Sequence, residues 1–137
     1  MLIVTSLVAA VLTIIFVRLS FAVIALRRKN KVPLGTGGNI DLERAIRAQG
    51  NFAEYVPIAI ILIACLELNG APWWLVAVPG ISLTTGRVLH SIGINQPPPN
   101  FSNRIRGMQL TFFTLWASAG MNIAWTLYKL AGTAGLY

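Results

Sequence analysis

Residues 2–26 form a predominantly apolar run interrupted by one charge, Arg18. About 20 such residues cover the hydrocarbon core of a bilayer, so the run is read as a membrane-spanning helix. The composition carries that constraint to the whole chain. Of 137 residues, 55% are hydrophobic and 11% charged, with a mean hydropathy of +0.68, which is too apolar for a soluble domain of this size. Three further spans are predicted at about residues 44–68, 72–94 and 103–130, giving an all-α, four-helix integral membrane protein built as one domain, 1–137. No basic residue precedes the first run and no small-residue cleavage site ends it, so it is expected to be retained rather than removed as a signal peptide.

The basic residues set the orientation. Arg27, Arg28, Lys29, Lys31, Arg44, Arg47, Arg87, Arg104 and Arg106 fall in one half of such a bundle, which the positive-inside rule places in the cytoplasm. The turn Asn69-Gly70-Ala71-Pro72 has no Lys or Arg and leads into Trp73-Trp74, with Trp125 and Tyr128 at the matching depth of the last span. That end, with both termini, is predicted to lie outside. The same pattern accounts for the net charge of +7 without a nucleic-acid partner. Cys65 is the one cysteine, so it cannot form an internal disulfide and reads as a packing residue. One His and one Cys far apart make no metal cluster. No Ser-His-Asp arrangement is readable, and the Gly-Thr-Gly-Gly loop lacks the Gly-Lys-Ser/Thr step of a phosphate-binding loop.

Function is written in the second span, Asp41 to Glu67, where charges enter an otherwise apolar helix. With Arg47 at zero and 100° per residue, Asn51 falls at about 40°, Glu54 at about −20° and Glu43 at about −40°, a polar stripe down one face. Glu67 falls on the opposite face. Each charge near a bilayer centre costs about 2.5–3.5 kcal/mol, so such a stripe should face protein or a watery pocket. Pro57 leaves the Ala53 carbonyl without its helical donor and is expected to open room beside the stripe. Arg87 and His90, three apart on the third span, are helix neighbours. Arginines from several helix ends converging on Asn51 and Glu54 suit an anionic ligand that also carries a positive group, with a lipophilic compartment nearby.

The string Arg47-Ala48-Gln49-Gly50-Asn51-Phe52-Ala53-Glu54-Tyr55-Val56-Pro57 resembles the R-A-x-x-N-x-x-E-Y-x-P signature of the MAPEG family, the membrane-associated proteins of eicosanoid and glutathione metabolism. Arg87-x-x-His90-x-x-Gly93 is similar to that family's third-helix pattern, and Arg106-Gly107 to the opening of its fourth helix. The resemblance implies a homotrimer of four-helix bundles in a bacterial inner membrane, with glutathione held between subunits near the cytosol. It also implies glutathione contacts from Arg47, Asn51, Glu54 and Tyr55, with Gln49 nearby. Arg27 or Arg28 would serve from the first loop, and Arg87 and His90 from the third helix; Arg104, at the start of the fourth, is a further candidate contact.

Arg106 is expected to be catalytic, as the guanidinium that stabilises a glutathione thiolate. Arg104 and Arg106 lie about 200° apart and cannot both point into one cleft. Ile94 departs from the family pattern, where many eicosanoid-branch members have tyrosine, and so favours the broader bacterial branch. The expected activity is a glutathione transferase or glutathione-dependent peroxidase acting on lipophilic electrophiles, with glutathione as cosubstrate and no metal. The competing reading is a small membrane transporter or scaffold that keeps the fold without the chemistry.

Overall fold

The structure is a computed structural model that describes residues 1–96 and 98–134. Pro97 of the proline-rich loop and residues 135–137 of the expected domain lie outside them. Four helices make up the protein: α1, Ile3–Asn30; α2, Ile40–Leu68; α3, Trp73–Asn95; and α4, Phe101–Thr133. They extend past the spans read from hydropathy because caps, not polarity, end a helix. α1 runs on through Arg27, Arg28 and Lys29 until Lys31 adopts a left-handed φ of 54°, its N–H donated to the Arg28 carbonyl. α2 begins at Ile40 because the Asn39 side chain accepts the Leu42 N–H at 2.8 Å. The Asn39 amide also donates to Asn30 Oδ1 at 3.1 Å, tying the two helix ends across the loop.

α1, α2 and α3 are long and apolar enough to cross a membrane. α4 falls short of that hydropathy because it carries polar groups into the bundle, where the fold satisfies most of them. The Thr111 hydroxyl donates one turn back to the Gly107 carbonyl at 2.8 Å, and Thr114 Oγ1 lies 2.8 Å from the Leu110 carbonyl and 3.0 Å from Ser82 Oγ on α3. Asn122 reaches α2, donating to the Leu62 carbonyl at 2.9 Å. Such contacts join helices where burial of apolar surface gives little drive, since lipid is as apolar as a core.

α2 and α3 form the centre, each packed against both α1 and α4, and among the described residues no close backbone approach joins α1 to α4. Leu12, Phe52, Ala59, Ile63 and Leu83 are among the buried core, while Phe21, Ile61, Ile81 and Trp116 are exposed around it. The backbones of α3 and α4 approach closely. A Cβ at Gly107 would lie 2.6 Å from both the Gly86 carbonyl oxygen and the His90 nitrogen, and one at Gly93 would lie 2.6 Å from the Arg104 nitrogen. The glycines of Arg87-x-x-His90-x-x-Gly93 and Arg106-Gly107 therefore bring helices together at the basic end.

Candidate functional site

At that end α2, α3 and α4 enclose a cleft of about 430 Å³. The stripe on α2 supplies Arg47, Asn51 and Glu54, α3 supplies His90 and Ile94, and α4 supplies Arg104. The one-face geometry expected of Arg47, Asn51 and Glu54 is the geometry observed. Among the described residues, no hydrogen bond or ion pair engages the side chains of Arg47, Glu54 or Arg104. Two guanidinium groups and one carboxylate are thus held around one space with their charges unspent.

Arg87 stands behind this cleft rather than in its lining. It is 1% exposed, and its Nη1 donates to Asn51 Oδ1 at 2.7 Å and to the Asn51 carbonyl at 3.3 Å. Its Nη2 approaches Met108 Sδ at 3.4 Å, and its guanidinium lies 5.9 Å from the centre of the Tyr55 ring. Those contacts fix Asn51 with its oxygen turned to Arg87, so the amide N–H groups remain for the cleft. No carboxylate pairs with Arg87 among the described residues, so a buried positive charge sits directly behind the site. Tyr55 is held between Arg87 and the edge of Phe112, ring centres 5.4 Å apart.

The remaining expected site residues are elsewhere in the single chain. Gln49 is half-buried and outside the lining. Arg27 donates to the Val32 and Gly35 carbonyls at 3.3 and 3.0 Å and so braces its own loop. Arg28 is exposed with no hydrogen-bond or ion-pair partner among the described residues, which separates two arginines that the sequence left equivalent. Arg106 is exposed on α4, outside the lining that Arg104 enters. Ile46 and Gly50 complete the cleft. Their signal lay in the period of the stripe, since each falls within about 100° of Arg47 on the same helix.

Pro57 opens space in a different place from the one expected. α2 continues as helix through it, and the room beside it is an apolar groove of about 300 Å³ against α1, walled by Leu12, Phe16, Phe52 and Val56. The polar cleft does not include Pro57. Pro57 lies at the edge of the stripe's face, about 60° round α2 from Glu54 and nearly one turn farther from the basic end, and the space it borders faces α1.

A model of the MAPEG family matches residues 5–124 of the chain. The chain belongs to the MAPEG family. Within it, the chain is 35% identical over 134 residues to inner membrane protein YecN of Escherichia coli strain K12, covering 98% of this chain and 91% of that protein. The same figures hold for YecN of Escherichia coli O6:H1 strain CFT073. As a MAPEG member the protein is an integral membrane protein of four helices, in a family associated with glutathione and eicosanoid metabolism.

Proposed function

We propose that this MAPEG protein binds glutathione in the polar cleft and uses its thiolate against lipophilic electrophiles, as a transferase or glutathione-dependent peroxidase. The observation that carries the reading is the unpaired charge of both signs around one cleft, Arg47 and Arg104 against Glu54. Glutathione has two carboxylates and one ammonium, the complement of that set. Arg87, buried and without a carboxylate partner among the described residues, adds positive potential behind Asn51. The apolar groove at Pro57 starts on α2 at Phe52, next to Asn51, and supports a second substrate drawn from the lipid phase.

The thiol-activating charge is assigned to Arg106 in a homotrimer. A free thiol has a pKa of about 8.5, and a neighbouring guanidinium favours the thiolate. Arg104 lines the cleft of its own chain, whereas Arg106, equally exposed, lies outside that lining and can be covered by an adjoining subunit. Arg28, Tyr55, His90 and Gln49 complete the proposed contacts, with Arg27 positioning the loop. The protein is placed in a bacterial inner membrane with its basic loops in the cytoplasm and both termini outside. In a Cys65→Ala background, cysteines at Thr36 and at the exposed Asn69 should then label from opposite sides with an impermeant maleimide.

The deciding experiment titrates detergent-solubilised protein with glutathione while recording thiolate absorbance. Saturable thiolate formation is expected. Arg106→Ala should raise the pH at which the bound thiol ionises and slow turnover while glutathione still binds; Arg104→Ala should weaken binding instead. Proton-coupled export from liposomes without thiolate formation would replace the enzyme reading with a transporter.

A further inference from the structure

A glycine inside a helix weakens it relative to alanine, so each helical glycine needs a reason. On α3 and α4 the reason is packing within the chain. A Cβ at Gly80 would lie 2.6 Å from Val8 Cγ2, one at Gly86 would lie 2.9 Å from the Gly107 carbonyl oxygen, and Gly93 and Gly107 are crowded as described above. Gly50 on α2 and Gly120 on α4 are different. A Cβ built at either meets no atom of the described residues within 4 Å beyond its own helix backbone, and neither residue has the left-handed φ that favours glycine. Nothing in the chain's own packing or backbone accounts for them.

Gly120 is exposed and outside the polar cleft, but Gly50 is part of its lining. The other α2 residues of that lining, Ile46, Arg47, Asn51 and Glu54, all carry larger side chains. Gly50 sits one turn after Ile46 and one turn before Glu54 on the same row of the helix, and between Arg47 and Glu54 along the axis. Those two unengaged charges of opposite sign are about 10 Å apart along α2. Three extended residues of a peptide span about that distance. Bare helix backbone therefore floors the cleft midway between the groups suited to hold a ligand's charged ends.

We propose that Gly50 is a specificity-determining residue of the cleft: the uncharged middle of a zwitterionic peptide thiol about three residues long lies against the α2 backbone there, in the space a Cβ would take. The inference rests on the reading of this cleft as a glutathione site and adds the residue that sets how closely the ligand can approach α2. Gly50 acts by shape alone. It has no side chain to offer, and its peptide groups belong to a helix that runs unbroken from Ile40 to Leu68.

The test pairs thermal unfolding with glutathione titration in detergent for the parent, Gly50→Ala, Gly50→Leu and Gly120→Ala, with oligomer size measured for each. Gly50→Ala should raise the unfolding midpoint by about 3 °C, because its methyl group enters open space and alanine is the better helix former. The same variant should bind glutathione about tenfold more weakly, and Gly50→Leu about a hundredfold more weakly. A glycine needed only for packing would lose stability and binding together, so the opposite signs are diagnostic. Gly120→Ala should share the gain in stability and leave binding unchanged. Equal glutathione binding by the parent and Gly50→Ala overturns the proposal and leaves the glutathione reading intact, whereas a parent that does not bind glutathione overturns the reading beneath it. A Gly50→Ala protein that is less stable than the parent, or smaller in oligomer size, also overturns the proposal and assigns the glycine to a contact between copies of the chain.

Discussion

Glu54 and Glu67 belong to the same helix and meet opposite fates. At the far end of α2, the two oxygens of Glu67 accept the Val4 and Thr5 N–H groups at 2.9 and 2.8 Å, capping a helix whose own N-cap residue, Leu2, offers no side-chain acceptor. Glu54, near the middle, has no such partner among the described residues and lines a cleft with two equally unengaged arginines. At the far end the protein uses its polar groups on itself, and at the basic end it keeps them available. A carboxylate that holds helices together and one that waits for a ligand cannot be told apart by residue type; they differ in what their neighbours leave undone.

Several changes would break or sharpen that contrast, and the largest acts on the frame of the basic end. Gly107→Ala places a methyl group 2.6 Å from the Gly86 carbonyl oxygen and the His90 nitrogen, both backbone atoms that cannot swing aside. It should cost about 1–3 kcal/mol in detergent unfolding and spread the walls that carry His90 and Arg104. An unchanged midpoint would mean that the two helices tolerate a wider spacing. Next in size is Glu54→Gln, which should weaken glutathione binding about tenfold while leaving thermal unfolding within about 0.5 kcal/mol of the parent. Glu67→Gln should do the reverse: binding stays, and unfolding comes easier by about 1 kcal/mol, because an amide cannot match a carboxylate at a helix N-terminus. If the two variants behave alike in both measurements, the division of labour along α2 is wrong.

Much of this is legible in the sequence. The first three helices follow from apolar length, and the stripe of Arg47, Asn51 and Glu54 follows from period alone, because both are local properties of the chain; α4, less apolar, is marked as well by the proline-rich loop before it and the aromatic pair Trp125 and Tyr128 near its end. What escaped depends on packing between segments distant in sequence. Arg87 looks like a ligand contact on its helix, yet its guanidinium is 2.7 Å from Asn51 Oδ1, across 36 positions of sequence, and orients that residue from behind. The placement of Arg104 on the cleft and Arg106 off it turns on how α4 is rotated against α3, which the Gly86–Gly107 approach sets. Pro57 was legible as a break in the hydrogen-bond ladder, but not the face on which the space would open.

The smallest effect belongs to the far end and tests whether its satisfied contacts are all of one kind. The Trp125 indole N–H donates to the Asn69 carbonyl at 3.0 Å, linking α4 to the C-cap of α2, whose last carbonyls have no helical donors. Asn69 is exposed, so water can take the place of the indole when it is removed. Trp125→Phe keeps a ring for the contact with Tyr128, whose centre lies 5.6 Å away, and removes only the donor. The expected cost is at most about 0.5 kcal/mol, below that of Glu67→Gln, because a solvated acceptor is left without a desolvation penalty whereas the α1 N–H groups at Glu67 lose an ionic partner. Thermal unfolding in detergent, read side by side for the two variants, checks the order. A Trp125→Phe protein less stable than Glu67→Gln would show that the α4 contact, and not the α1 cap, is what closes this end of the bundle.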